Sequence, residues 1–120
     1  MAVRGIRGAT GVEANEPRAI ERAVREMLDR VVAENGVKAG DVAAAFFTAT
    51  PDLDADFPAR AARQMGWASV PLLCAQEIAV PGAPPRIVRV LLLVNTDLAQ
   101  EDVRHVYLGE AKKLRPDLVQ

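Results

Sequence analysis

A mixed α/β domain, in which one long helix packs on a mixed β-sheet, is what this 120-residue sequence predicts, and three observations carry that reading. Ile20, Val24, Leu28 and Val31 recur at helical spacing between a proline-led start and an Asn35-Gly36 stop. The stretches Val42 to Ala49, Val70 to Glu77 and Arg86 to Thr96 are short apolar runs bounded by turn residues, as strands covered on both faces are. Half the residues are apolar and the formal net charge is −1, so residues 1–120 can bury a core as one domain without staples.

The composition also excludes function classes. A single cysteine, Cys74, rules out an internal disulfide, and one histidine leaves too few ligands for a typical zinc site, so neither metal nor cofactor is expected. Charge is balanced and aromatics are scarce, which removes the basic footprint and stacking platform of a nucleic-acid binder. No apolar run approaches the ~20 residues that span a bilayer, and no signal-peptide pattern opens the chain, so no membrane contact and a cytoplasmic location are expected. Strands with two apolar faces outnumber the helices able to cover them, and an oligomer is the expected remedy.

Taken in order, Ala2 to Ala9 alternates as a strand that places Val3, Gly5, Arg7 and Ala9 on one side. Arg7 stands among small residues, free either to reach a ligand or to face water at an edge. Asn15 can cap the long helix, with Pro17 in its first turn; Glu21-Arg25 and Glu26-Arg30 are i,i+4 pairs on its wet face. The alanines of Val42 to Ala49 allow that helix to pack closely. Thr50-Pro51-Asp52-Leu53 is a turn, and a short helix runs from Asp56-Phe57-Pro58 through Met65 to Gly66, with Arg60 and Arg63 on one face. In the third strand, alternation turns Cys74 and Glu77 opposite ways unless the strand bends. Cys74 reads as a small buried side chain, and His105, beside a final strand Val103 to Leu108, as a structural histidine. The basic, proline-broken end from Lys112 is expected to be mobile.

The residue that breaks the pattern is Arg89, alone among Ile87, Leu91 and Leu93 on one side of the RIVRVLLLVNT strand. A guanidinium cannot shed its proton to escape burial. Arg89 therefore meets an internal carboxylate such as Glu77, snorkels to an edge, or faces a bound anion in a wet cleft.

The blocks RGIRGAT, TATPDLDADFPARAAR, CAQE, RVLLLVNTD and RHVYLGEAKKLRPDL, in this order along nearly the whole chain, resemble the small monofunctional bacterial chorismate mutases of the AroH type. That resemblance implies a chorismate-mutase-like pseudo-barrel homotrimer with sites in the clefts between chains. It also implies a Claisen rearrangement of chorismate to prephenate, in which the protein holds and polarises a dianion without covalent or acid-base help. Under it, Arg89 donates to the ether oxygen, and Arg7 and Tyr107 hold a substrate carboxylate. Glu77 accepts from the ring hydroxyl with Cys74 beside it. Phe57, Ala59, Arg60 and Arg63 come from across the subunit boundary, and Leu114 and Arg115 belong to a closing tail. The sequence departs from the family pattern in having arginine at position 60, where lysine is as common, and Leu73 where relatives can carry a small polar residue. Two readings of other classes remain: a trimeric imine deaminase of the RidA type, and a module that binds an aromatic-pathway metabolite without converting it.

Overall fold

The computed structural model describes residues 1–118. The elements follow as β1 (Ala2–Gly11), α1 (Pro17–Asn35), β2 (Val42–Ala49), α2 (Ala59–Ala62), β3 (Leu72–Gln76), β4 (Ile87–Thr96) and β5 (Val106–Leu108). The strands form one mixed sheet in the order β3-β2-β4-β1-β5. Its centre, β4, runs antiparallel to β1 and to β2, while β5 and β3 flank these two in parallel.

The apolar alternation of β4 divides the molecule. Val88, Val90, Leu92 and Val94 are buried beneath Ile20, Val24, Met27, Leu28 and Val31 of α1 and the alanines of α2. On the opposite side Val3, Phe46, Leu73 and Leu91 are between 39% and 58% exposed. The expected cover on both faces of the strands is thus complete on one face only, because both α-helices lie on that side; the other face is covered at one end, where Ala9, Ile87 and Tyr107 pack with Ala111.

Close packing of α1 comes from β1, which it overlies, rather than from the alanines of β2. A side chain at Gly8 would stand 3.0 Å from Val90, 3.2 Å from Met27 and 3.3 Å from Val31. At the other end of α1, Gly36 turns left-handed with φ 62 and its N–H donates to the Val32 carbonyl, as an αL stop requires.

Several local expectations change. Asn15 does not cap α1; its Oδ1 accepts from the N–H groups of Asp54 and Ala55 at 3.1 and 3.0 Å, which ties the helix start to the loop before α2. The i,i+4 ion pair on α1 among the described residues is Arg30 with Glu34 at 3.7 Å, one turn beyond the pairs expected. The short helix keeps α-geometry only over Ala59–Ala62, widens through Arg63–Trp67, and breaks where Gly66 adopts φ 94. The last strand shrinks to Val106–Leu108, since Gln100–Asp102 forms a 3-10 turn and side chains replace backbone pairing before it. Beyond β5, the chain carries 3-10 turns at Gly109–Lys113 and Pro116–Leu118; the mobile end expected from Lys112 falls partly on 119–120, outside the described residues.

Gly8→Ala is expected to destabilise by about 1–3 kcal/mol, because the added methyl must displace buried Val90, Met27 and Val31. Gly40→Ala, with nothing within 4 Å of the new carbon, is expected to stay within about 0.5 kcal/mol of the parent. Urea unfolding midpoints of the two variants check both statements.

Candidate active site

Strand register gathers the charges of the sheet on its open face. Thr48 on β2 stands opposite Arg89 on β4, and Ala9 on β1 stands between Arg89 and Tyr107 of β5. Glu77 lies one residue past β3 with the parity of Leu73 and Ala75, and its N–H donates to the Ala49 carbonyl at 2.9 Å. Arg7, Phe46, Thr48, Glu77, Arg89 and Tyr107 consequently line one cavity of about 440 Å³. A hollow of about 390 Å³ adjoins it, shares Thr48, Glu77 and Arg89, and adds Leu114.

Glu77 is held at both oxygens. Its Oε1 lies 3.2 Å from Arg89 Nε, and its Oε2 accepts a hydrogen bond from the Thr48 hydroxyl. The Arg89 side chain is 44% exposed, so this screened pair contributes only about 0–1 kcal/mol to stability. An aliphatic residue would serve the strand at least as well, so stability alone does not account for the charge. Arg7 has no ion-pair partner among the described residues, leaving its guanidinium available to an anion.

The backbone beneath Arg7 is fixed by side chains. Its N–H donates to His105 Nδ1 at 2.9 Å, and two residues earlier the Gln100 amide accepts from Gly5 N at 3.0 Å and donates to Gly5 O at 2.7 Å. Burial pushes the His105 pKa below its ordinary value, and the Arg7 and Arg115 charges push the same way. The neutral ring keeps the Nδ1 lone pair that Arg7 needs. Tyr107 is buried with Ala9, Ile87 and Ala111, with Leu114 against them, so its ring is fixed at the cavity wall.

Other expected residues lie elsewhere. Phe57, Arg60 and Cys74 line a separate cavity of about 550 Å³ beside β2 and the loop that leads to α2. Cys74 therefore is not beside Glu77 within one chain: the strand does not bend, and alternation keeps the two on opposite faces. Asp56 Oδ1 accepts from Phe57 N at 2.7 Å and from Arg60 Nε at 3.0 Å, which pins Arg60 at the mouth of that cavity. Ala59 is buried in the main core rather than on a cavity wall, and Arg63 is exposed and outside the cavity lining. Arg115 grips Asp117 with Nε at 3.1 Å and Nη2 at 2.9 Å; that contact raises its pKa and holds the Asp117 carboxyl low. Two contributors escaped the sequence reading: Asp56, and Thr48, whose parity with Arg89 only the strand pairing exposes.

Two arginines and a carboxylate share one open cavity, with the only thiol on the other face, an arrangement suited to holding a small carboxylated molecule rather than attacking it. The model of the family "Chorismate mutase type I" matches residues 3–118. The chorismate mutase AroH of Thermus thermophilus is 56% identical over 117 residues, covering 97% of this chain and 96% of that protein. The chorismate mutase AroH of Bacillus subtilis is 44% identical over 119 residues, covering 98% and 94%. A solved chorismate mutase from Clostridium thermocellum superposes with a TM-score of 0.89 at 45% identity, covering 91% of this chain and 97% of the other. The chain belongs to the type I chorismate mutases.

His105 sets an expected pH dependence of stability. Its folded-state pKa lies below the unfolded value of about 6.5, so the unfolded chain binds the extra proton first, and stability is lost as pH falls through that lowered value. Thermal midpoints at pH 5 and pH 7 should differ more for the parent than for His105→Gln, which removes the titrating ring.

Proposed function

We propose that the chain catalyses the Claisen rearrangement of chorismate to prephenate, as a single-domain cytoplasmic enzyme that needs no metal or cofactor. The observation that carries the reading is the Arg7, Glu77 and Arg89 constellation on the open face of the sheet of a type I family member. Chorismate is a dianion, and its ether bond breaks as a carbon-carbon bond forms within the same molecule. No proton has to move in that step, so catalysis consists of selecting the compact conformer and stabilising charge as it grows.

Arg89 supplies the donor to the ether oxygen, with its Nε edge already held by Glu77. Arg7 and Tyr107 take a carboxylate, and Glu77 accepts from the ring hydroxyl. The active unit is a homotrimer, a proposal supported by the apolar surface of Val3, Phe46, Leu73 and Leu91 that the chain leaves uncovered. In that assembly a neighbouring chain brings its Phe57, Arg60 and Cys74 cavity against the arginine face, with Arg63 near the entrance. Leu114, already packed beside Tyr107, and Arg115 form the rim. Cys74 joins the site from the neighbour, together with Phe57 and Arg60, because its own strand turns it away from Glu77.

Purified protein mixed with chorismate alone should lose the substrate's ultraviolet absorbance and yield prephenate; no conversion, with binding still seen by calorimetry, would favour the non-catalytic module. Arg89→Ala is expected to lower kcat by about 10²–10³ while leaving the melting temperature nearly unchanged, as losing a donor to developing charge does. Arg63→Ala should cost about 1 kcal/mol or less. Equal small losses in the two variants would remove Arg89 from its role. Because no proton transfer limits the step, kcat should stay nearly flat between about pH 6 and 9. A steep titration across that range in steady-state assays would contradict the pericyclic route.

A further inference from the structure

We propose that Thr48 is a positioning residue of this site: its hydroxyl fixes Glu77, and Glu77 in turn aims Arg89 into the cavity. The proposal rests on the mutase reading for its kinetic consequence, but not for its geometry.

Glu77 stands where the sheet stops supporting it. Its N–H makes the last bond to β2, at Ala49 O, and Ile78 beyond it is 86% exposed at the start of a loop. Beyond this bond no strand neighbour carries the Glu77 side chain further. Its position rests on the two groups that reach its carboxylate, Thr48 at Oε2 and Arg89 at Oε1. Thr48 is suited to the task by register, since it pairs directly with Arg89 across β2 and β4 and with Ala75 across β2 and β3. The hydroxyl that holds the second carboxylate oxygen is thus anchored in a strand bonded on both sides, next to the guanidinium that the first oxygen meets.

The consequence for Arg89 follows from the shape of a guanidinium. Glu77 occupies its Nε, which leaves the two Nη groups for a ligand in the cavity. A carboxylate free to swing would pull Arg89 with it or release it to several rotamers, and transition-state donation depends on aim. Thr48 has one hydroxyl proton, already committed to Glu77. With no proton left to donate to an anionic ligand, its effect on the reaction is assigned to Glu77 rather than to a direct contact with substrate.

Thr48→Val keeps the branched shape and removes the hydroxyl. It is expected to lower kcat about tenfold with KM changed less than about threefold, while Thr48→Ser keeps kcat within about twofold of the parent. In a Glu77→Ala background, adding Thr48→Val should change kcat less than about twofold, because the partner it acts through is gone. A full tenfold loss in that background would overturn the proposal in favour of direct contact or a folding effect, and failure of Thr48→Ser to rescue would do the same. A crystal structure of unliganded Thr48→Val, or of Thr48→Ala should the first not fold, decides the geometry without substrate. Glu77 Oε1 should lie beyond roughly 4 Å from Arg89 Nε; an undisturbed pair would overturn the proposal. A parent protein that makes no prephenate would sink the mutase reading alone, leaving that structure to judge Thr48.

Discussion

The constraint on which the structure depends is a charge placed mid-strand at the centre of the sheet. β4 must be apolar on the face that meets α1, and it is, from Val88 to Val94. On its other face Arg89 interrupts the aliphatic row, and everything near it accommodates that charge. Glu77 is carried past the end of β3 to meet it, Thr48 is set opposite it, and both helices are kept on the far side, so the guanidinium is never sealed in a dry core. A charge fully enclosed there would cost several kcal/mol. An open face lets the same charge remain half-solvated and ready for an anion.

That arrangement leaves one face of the sheet largely without cover within the chain. A sheet with helices on one side only leaves a broad apolar surface, and Phe46, Leu73 and Leu91 lie on the same face as Arg7 and Arg89. Covering the apolar part with copies of the chain would wall in the charged part and lower its effective dielectric, which strengthens each arginine contact with a bound dianion. Assembly and catalysis would then draw on one surface, and the second cavity, with Phe57 and Arg60, would gain a purpose it lacks within one subunit.

Much of this was legible in the sequence because period carries it. The stripe of α1, the alternation of β4 and the opposed parity of Cys74 and Glu77 are one-dimensional patterns, and the structure keeps all three. What the sequence left hidden depends on which strand pairs with which. Thr48 looks ordinary in VAAAFFTA until β2 is laid against β4, and Asn15 looks like a cap until the loop at Asp54 returns to it. The shortening of the last strand was equally unreadable, because Gln100 and His105 take the place of backbone partners, and side-chain mimicry leaves no periodic trace. The expected contact of Cys74 with Glu77 came from family resemblance; the alternation of the strand itself spoke against it.

The pairing of Gln100 and His105 with β1 has one more consequence. Beyond the three residues matched by β5, the backbone of Gly5 and Arg7 would offer a bare row of donors and acceptors to any passing strand. The amide and the imidazole occupy that row, and being side chains they cannot propagate a ladder. The sheet is therefore protected from growth by strand addition along this margin, which would leave its broad face as the surface for the proposed assembly.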